Sequence, residues 1–231
     1  MSYARHTMTT IDASNYDAMI AIANGDNFGD FSQWPGLRLI RVVRVPEDRF
    51  LTTGGYIDIA SADANIDNAS VVFGQMASLM NSTPVVREGE IVWAFDGDQS
   101  LTAGYVRHVI FTYEPKKYAA RMSYVDTTTE RFQAVSGLQR IRLVHCVEPN
   151  KTPRMFSSAI FDSKMSADEG QENMKAIMAG MDEFIVDDPT VPGVAQFEKN
   201  VSVREGEVIW SYYRSLRCPR FIFRHIDKLN G

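Results

Sequence analysis

The chain has 231 residues, 45% hydrophobic and 23% charged, with a formal net charge of -5. This ordinary globular composition excludes a disordered polymer, and the acidic balance lacks the basic stripe of a nucleic-acid binder. Apolar runs stop well short of the ~20 residues a membrane span needs, and residues 1–10 show neither an apolar core nor a small-residue cleavage site, so no membrane contact, no secretory signal and a cytoplasmic location are expected.

In chain order, residues 3–10 read as a strand. Tyr16, Met19, Ile20 and Ala23 follow at helical spacing, ended by Asn24 and Gly25. The β-branched run 37–45 enters a polar turn and 49–59 returns from it as a hairpin. Ser61 reads as the cap of a second helix over 62–80 that carries Val72, Phe73, Met76 and Leu79 on one side. The segment VREGEIVW, Val86 to Trp93, closes the series as a fourth strand, in which Glu88 and Glu90 flank a glycine and suggest a turn or bulge with solvated charges. The order βαββαβ is that of a ferredoxin-like unit.

The same order then repeats. Tyr3, Arg5, His6 and Thr10 recur as Tyr105, Arg107, His108 and Thr112 at a shift of 102, and Gly36, Leu37, Ile40 and Arg41 recur as Gly137, Leu138, Ile141 and Arg142 at 101. Ser61, Ala62 and Asp63 recur as Ser166, Ala167 and Asp168 at 105. VREGE with an apolar pair and Trp recurs at Val203 to Trp210, shifted by 117. The shift changes around 148–151 and 187–192, where insertions fall in turns. Strands are therefore expected again at 105–113, 138–147 and 154–161, with helices carrying Tyr118, Met122 and Val125 and, over 167–185, Met174, Ile177 and Phe184. Arg224 and His225 match Arg107 and His108 at a shift of 117, so 221–226 reads as a further copy of the first strand, pairing along a sheet edge. The expected units are 1–103 and 104–231, the second with an extra C-terminal strand. Cys146 and Cys218 can make neither a disulfide framework nor a four-ligand zinc site, and read as buried structural thiols.

Two βαββαβ units of about 100 residues, each with a glycine just before its second strand (Pro35-Gly36 and Ser136-Gly137), resemble the dimeric α+β barrel proteins, nearest to the antibiotic-biosynthesis monooxygenase-like families. The resemblance implies an α+β fold of two tandem ferredoxin-like units, with antiparallel sheets joined into a barrel, helices outside and small-molecule cavities on the sheets. Both halves then lie within one chain as an intrachain pseudo-dimer; further homodimerisation stays open. It also implies activities ranging from cofactor-independent monooxygenases to haem-degrading oxygenases. The haem-degrading pattern of Asn on the first strand and Trp and His on the second helix is missing here.

His6 and His108 occupy equivalent strand positions, each after an arginine, and a neutral imidazole near pH 7 can act as base or donor. Strand alternation sends Arg5 and His6, or Arg107 and His108, to opposite faces, so one of each pair can line a cavity. Catalysis is placed on His6, His108, Arg5 or Arg107, against the alternative of structural hydrogen bonds inherited from a duplicated ancestor. Arg41 and Arg142, within apolar strands, suit an anionic or enolate-bearing ligand or else an ion pair. Trp93 and Trp210 suit ligand stacking or core packing. The expected groupings are His6 or Arg5 with Arg41 and Trp93, and His108 or Arg107 with Arg142 and Trp210. The first is favoured because Gly54 and Gly55 correspond to the bulkier Ala159 and Ile160. No metal site and no cofactor are expected. Three functions remain: a cofactor-independent monooxygenase on a small aromatic or polyketide-like compound, a non-catalytic ligand binder or sensor, and a structural protein.

Overall fold

The computed structural model describes residues 2–25, 28–98, 100–146, 153–188, 201–214 and 219–223. The first repeat runs β1 (Tyr3–Thr10), α1 (Tyr16–Ala23), the hairpin β2 (Leu37–Val45) and β3 (Arg49–Tyr56), α2 (Ile59–Ala64), α3 (Ile66–Gln75) and β4 (Val85–Asp96). The second runs β5 (Tyr105–Tyr113), α4 (Tyr118–Thr127), α5 (Thr129–Phe132), β6 (Leu138–Cys146), β7 (Arg154–Phe161), α6 (Lys164–Glu169), α7 (Gln171–Met178), the two-residue β8 (Ile185–Val186) and β9 (Ser202–Arg214), before a closing β10 (Pro219–Phe223). This is the expected α+β fold of tandem βαββαβ units. The strand order is β10-β9-β2-β3-β1-β4-β6-β7-β5-β8, and a further β9–β5 pairing makes eight of the strands cyclic, as in an α+β barrel.

The fourth strand of each repeat is long, and both its halves are used. Val85 to Glu90 pair with β1, and the remainder of β4 neighbours β6; Ser202 to Glu207 pair with β5, and the remainder of β9 neighbours β2. The chain accordingly forms two compact units, residues 1–90 with 208–231, and residues 91–207. The expected units, 1–103 and 104–231, follow chain order, whereas the compact units divide inside β4 and β9. A turn at Gly89 is not found: Gly89 lies opposite Ala4, and Gly206 opposite Val106, within uninterrupted pairing.

The second helix of each repeat begins earlier than Ser61 and Ser166 suggest. The caps are Asp58, whose Oδ1 accepts from Ser61 N at 2.8 Å, and Ser163, whose Oγ accepts from Ser166 N at 3.2 Å. In the first repeat the helix then breaks at the buried Asn65. Its Nδ2 donates to Ser61 O at 2.7 Å, taking the carbonyl its own backbone N–H would use, and to Pro35 O at 2.8 Å. β10 pairs antiparallel with β9, Phe223 opposite Trp210, as expected for 221–223. Arg224, His225 and Cys218 lie outside the described residues. Cys146 is buried, as expected. Among the described residues no helix is long and apolar enough to cross a membrane.

Candidate functional site

Alternation along β1 sends Arg5, Thr7 and Thr9 toward the helices of the first unit and His6 to the other sheet face. Between that helix-facing side and α1 and α3 lies a cavity of about 850 Å³ of empty space, its mouth included, of which about 70 Å³ admits the centre of a water-sized sphere. Strands supply Thr7, Thr9, Phe50 and Gly54; the helices supply Met19 and Val72; the loop before β2 supplies Phe28, Phe31 and Trp34. Trp210 joins them from the distal half of β9. It lies 5.5 Å from Phe31 and 5.9 Å from Phe28, ring centre to ring centre, in edge-on geometry.

The wall is apolar except for a few groups. Trp210 is buried, and its indole Nε1 has no hydrogen-bond partner among the described residues. Arg5 is held on three sides: Nε donates to Glu88 Oε2, Nη1 donates to Ala62 O at 2.9 Å, and Nη2 lies 3.6 Å from Asp63 Oδ1. Burial pushes the Tyr56 phenol up against the opposing pull of Arg5, so Tyr56 is a neutral hydroxyl at pH 7.

The second unit has a smaller counterpart of about 430 Å³, mouth included, bounded by Trp93, Phe111, Phe132 and Ile177. At the shift of 102 its Arg121 takes the position of Met19. Arg121 is fully buried, its guanidinium 5.3 to 5.8 Å from the ring centres of Phe111, Tyr113 and Tyr118. Its Nη2 donates to Met122 Sδ at 3.4 Å, while Nε and Nη1 have no partner among the described residues. Burial pulls its pKa down to about 10. A buried cation without an acid is a net cost even over three rings. Arg121→Met, which copies the first unit, is therefore expected to raise stability by about 1–2 kcal/mol in urea denaturation; a loss of stability would show that the rings more than offset desolvation.

No family model and no curated protein matches the chain. Among solved structures, a "putative monooxygenase" from Fusobacterium nucleatum is similar over 97% of this chain and 98% of its own, with a TM-score of 0.69 at 9% identity. A "putative monooxygenase" from Lactobacillus acidophilus covers 89% and 92% with a TM-score of 0.64 at 9% identity. An anthrone oxidase-like protein covers 91% and 92% with 0.63 at 10% identity. The chain has the dimeric α+β barrel fold.

In this barrel protein the predicted residues fall into different groups from those expected. Arg5 and Trp210 line the first cavity, and Trp93 lines the second. The two tryptophans change places relative to the expected groupings because the distal halves of β4 and β9 belong to the unit opposite their own repeat. Arg107 repeats the bonding of Arg5, through Nε to Glu205 Oε2 at 2.5 Å and Nη1 to Ala167 O at 3.5 Å. His6 and His108 lie on the other sheet face, with Nδ1 3.0 Å from Thr53 Oγ1 and 2.8 Å from Ser158 Oγ respectively. Arg41 and Arg142 share that face, opposite Thr53 and Ser158. The helices lie outside the sheet as expected, and Met19 of α1 and Val72 of α3 also wall the first cavity. The loop aromatics Phe28, Phe31 and Trp34 are absent from the expected site. Their signal in the sequence is three large rings within seven residues of a Gly- and Asp-containing connection, more apolar than a solvated loop requires.

Proposed function

We propose that this α+β barrel protein binds one small, flat aromatic or polyketide-like compound in the cavity of its first unit and acts on it as a cofactor-independent monooxygenase. The observation that carries the binding is the buried, unpartnered Nε1 of Trp210 in a wall of edge-on rings, which suits a planar apolar ligand carrying one hydrogen-bond acceptor. The monooxygenase class is supported by the names of the structural neighbours.

The chemistry fits a ring methylene made acidic by an adjacent carbonyl or aryl system. Loss of its proton gives a carbanion that molecular oxygen oxidises. One oxygen atom ends as a ring carbonyl and the other leaves in water with the two methylene hydrogens, so that the methylene compound and O2 give the ketone and H2O. Among the described residues the cavity lining has no carboxylate and no imidazole; Glu88, tied to Arg5, lines only the adjoining groove. The protein's part is to lower the energy of the delocalised anion through Trp210 N–H and the Arg5 guanidinium, while the proton leaves to solvent. A pure binder would show the same affinity without turnover.

The test uses anthrone as probe. Titration should quench tryptophan fluorescence with one equivalent per chain, and an oxygen electrode should record one O2 consumed per anthrone oxidised. Trp210→Phe keeps a ring and deletes the donor, so it should weaken binding about tenfold, the worth of one hydrogen bond. Undiminished binding would sink the site, and binding with no oxygen uptake above the uncatalysed rate would leave the protein a binder.

A further inference from the structure

The other face of the first unit's sheet carries a row of side chains that the cavity does not use. Arg41 lies opposite Thr53, Thr53 opposite His6 and His6 opposite Arg87, across β2, β3, β1 and β4. Directly opposed residues share a face, so all four side chains leave the sheet on one side. The row holds no acid. Arg41 is 3% exposed; its Nη2 donates to Tyr213 Oη at 2.7 Å, and its Nε is buried with no partner among the described residues. Arg87 is half-buried, and its Nε likewise has no partner.

The second unit contains the same row with its charge answered. Arg142, Ser158, His108 and Arg204 stand opposite one another across β6, β7, β5 and β9. There Arg142 is paired: Nη2 donates to Asp96 Oδ1 at 2.6 Å and Nη1 to Phe95 O at 2.8 Å. At the shift of 117 that aligns Trp93 with Trp210, Asp96 aligns with Tyr213. The first unit therefore offers a neutral phenol where the second offers a carboxylate, and it does so to the more deeply buried of the two arginines. A guanidinium removed from water without an acid is costly, and a planar fork of N–H donors is best satisfied by an oxyanion.

We propose that the row formed by Arg41, Thr53, His6 and Arg87 is a binding site for a small oxyanion, of carboxylate or phosphate size, that takes the role Asp96 fills in the second unit. The site is separate from the aromatic cavity, on the opposite sheet face. Burial and the Arg41 guanidinium together hold His6 neutral, so the imidazole adds no charge and the arginines set the selectivity.

The test follows thermal unfolding of the full chain at pH 7.5 in sodium chloride, acetate or phosphate at matched ionic strength. Phosphate, acetate or both should raise Tm by about 3–5 °C over chloride at ten times the dissociation constant; which of them acts tells a tetrahedral from a planar anion. Tyr213→Asp supplies the carboxylate internally, so it should raise Tm in chloride alone and bring the phosphate and acetate responses down to that of chloride. Arg41→Met should also remove the responses, and Arg87→Gln, at a half-buried position, should weaken them in a protein that folds. The proposal is overturned if the wild type responds to all three salts alike, or if Tyr213→Asp keeps the full wild-type response.

Discussion

Replacing Gly36 with alanine is expected to cost about 2–5 kcal/mol in urea denaturation, more than most single substitutions. Gly36 precedes β2 with φ +61°, and a Cβ there would lie 2.1 Å from Ser61 Oγ, 2.5 Å from Ser61 Cβ and 2.8 Å from Ile57 Cγ1. Two penalties add: the left-handed backbone costs an L-residue about 1–2 kcal/mol, and forcing a methyl against the start of α2 costs roughly 1–3 kcal/mol in overpacking. The serine cannot simply rotate away, because the clash reaches its Cβ. Gly137 in the second repeat has φ +63° and would meet Ser166 Cβ at 2.4 Å, so Gly137→Ala should behave alike. Gly74 is the control. It lies within α3 with nothing within 4 Å of a Cβ, and Gly74→Ala should gain up to about 1 kcal/mol from helix propensity alone. Equal effects at Gly36 and Gly74 would refute the close approach.

That glycine is also where sequence and structure meet most directly. The Pro-Gly and Ser-Gly steps before the second strands carried the likeness to the α+β barrel proteins, and the contact with α2 or α6 is the physical reason a side chain is excluded there. The strands were legible because period-two patterning and the in-register repeat reinforce each other: β1, β2, β5 and β7 have the expected bounds. The helix starts were less so, since Asp58 and Ser163 are capping residues no better marked than Ser61 and Ser166, and only the backbone decides between them.

The candidate site was half legible. Its strand positions followed from alternation, which separates Arg5 from His6. What composition and spacing could not show is that a long strand can begin in one compact unit and end in the other, which moves Trp210 to the cavity of Arg5 and Trp93 to the other unit. Nor could they distinguish Asp96 from Tyr213 as partners of equivalent arginines until the register across β2 and β6 was known.

Acid is expected to destabilise this protein from pH values well above the usual carboxylate range. His6 is 2% exposed, and burial first and the Arg41 guanidinium second push its pKa down from 6.5 to about 3. The unfolded chain therefore binds a proton between these values that the native state refuses, so His6 favours folding fully above pH 6.5 and progressively less as pH falls toward 3. Between pH 7 and pH 4 the loss is about 3 kcal/mol. The exposed capping carboxylates of Asp12, Asp30, Asp58 and Asp98, held below their ordinary value by serine hydroxyl and amide hydrogen bonds, lose their contribution at lower pH than His6 does. His6→Gln keeps a polar side chain opposite Thr53 without a titrating group. Its urea midpoint should be lower at pH 7 but should fall by less than the wild type's from pH 7 to 4.5. Equal declines in the two proteins would show that His6 takes up its proton in the native state. The two sheet faces also become separable by this measurement. An oxyanion beside Arg41 opposes the push of the guanidinium on His6, so saturating phosphate should reduce the loss between pH 7 and 4.5, and Tyr213→Asp should reduce it in chloride alone, whereas anthrone in the aromatic cavity should stabilise the protein without changing the slope.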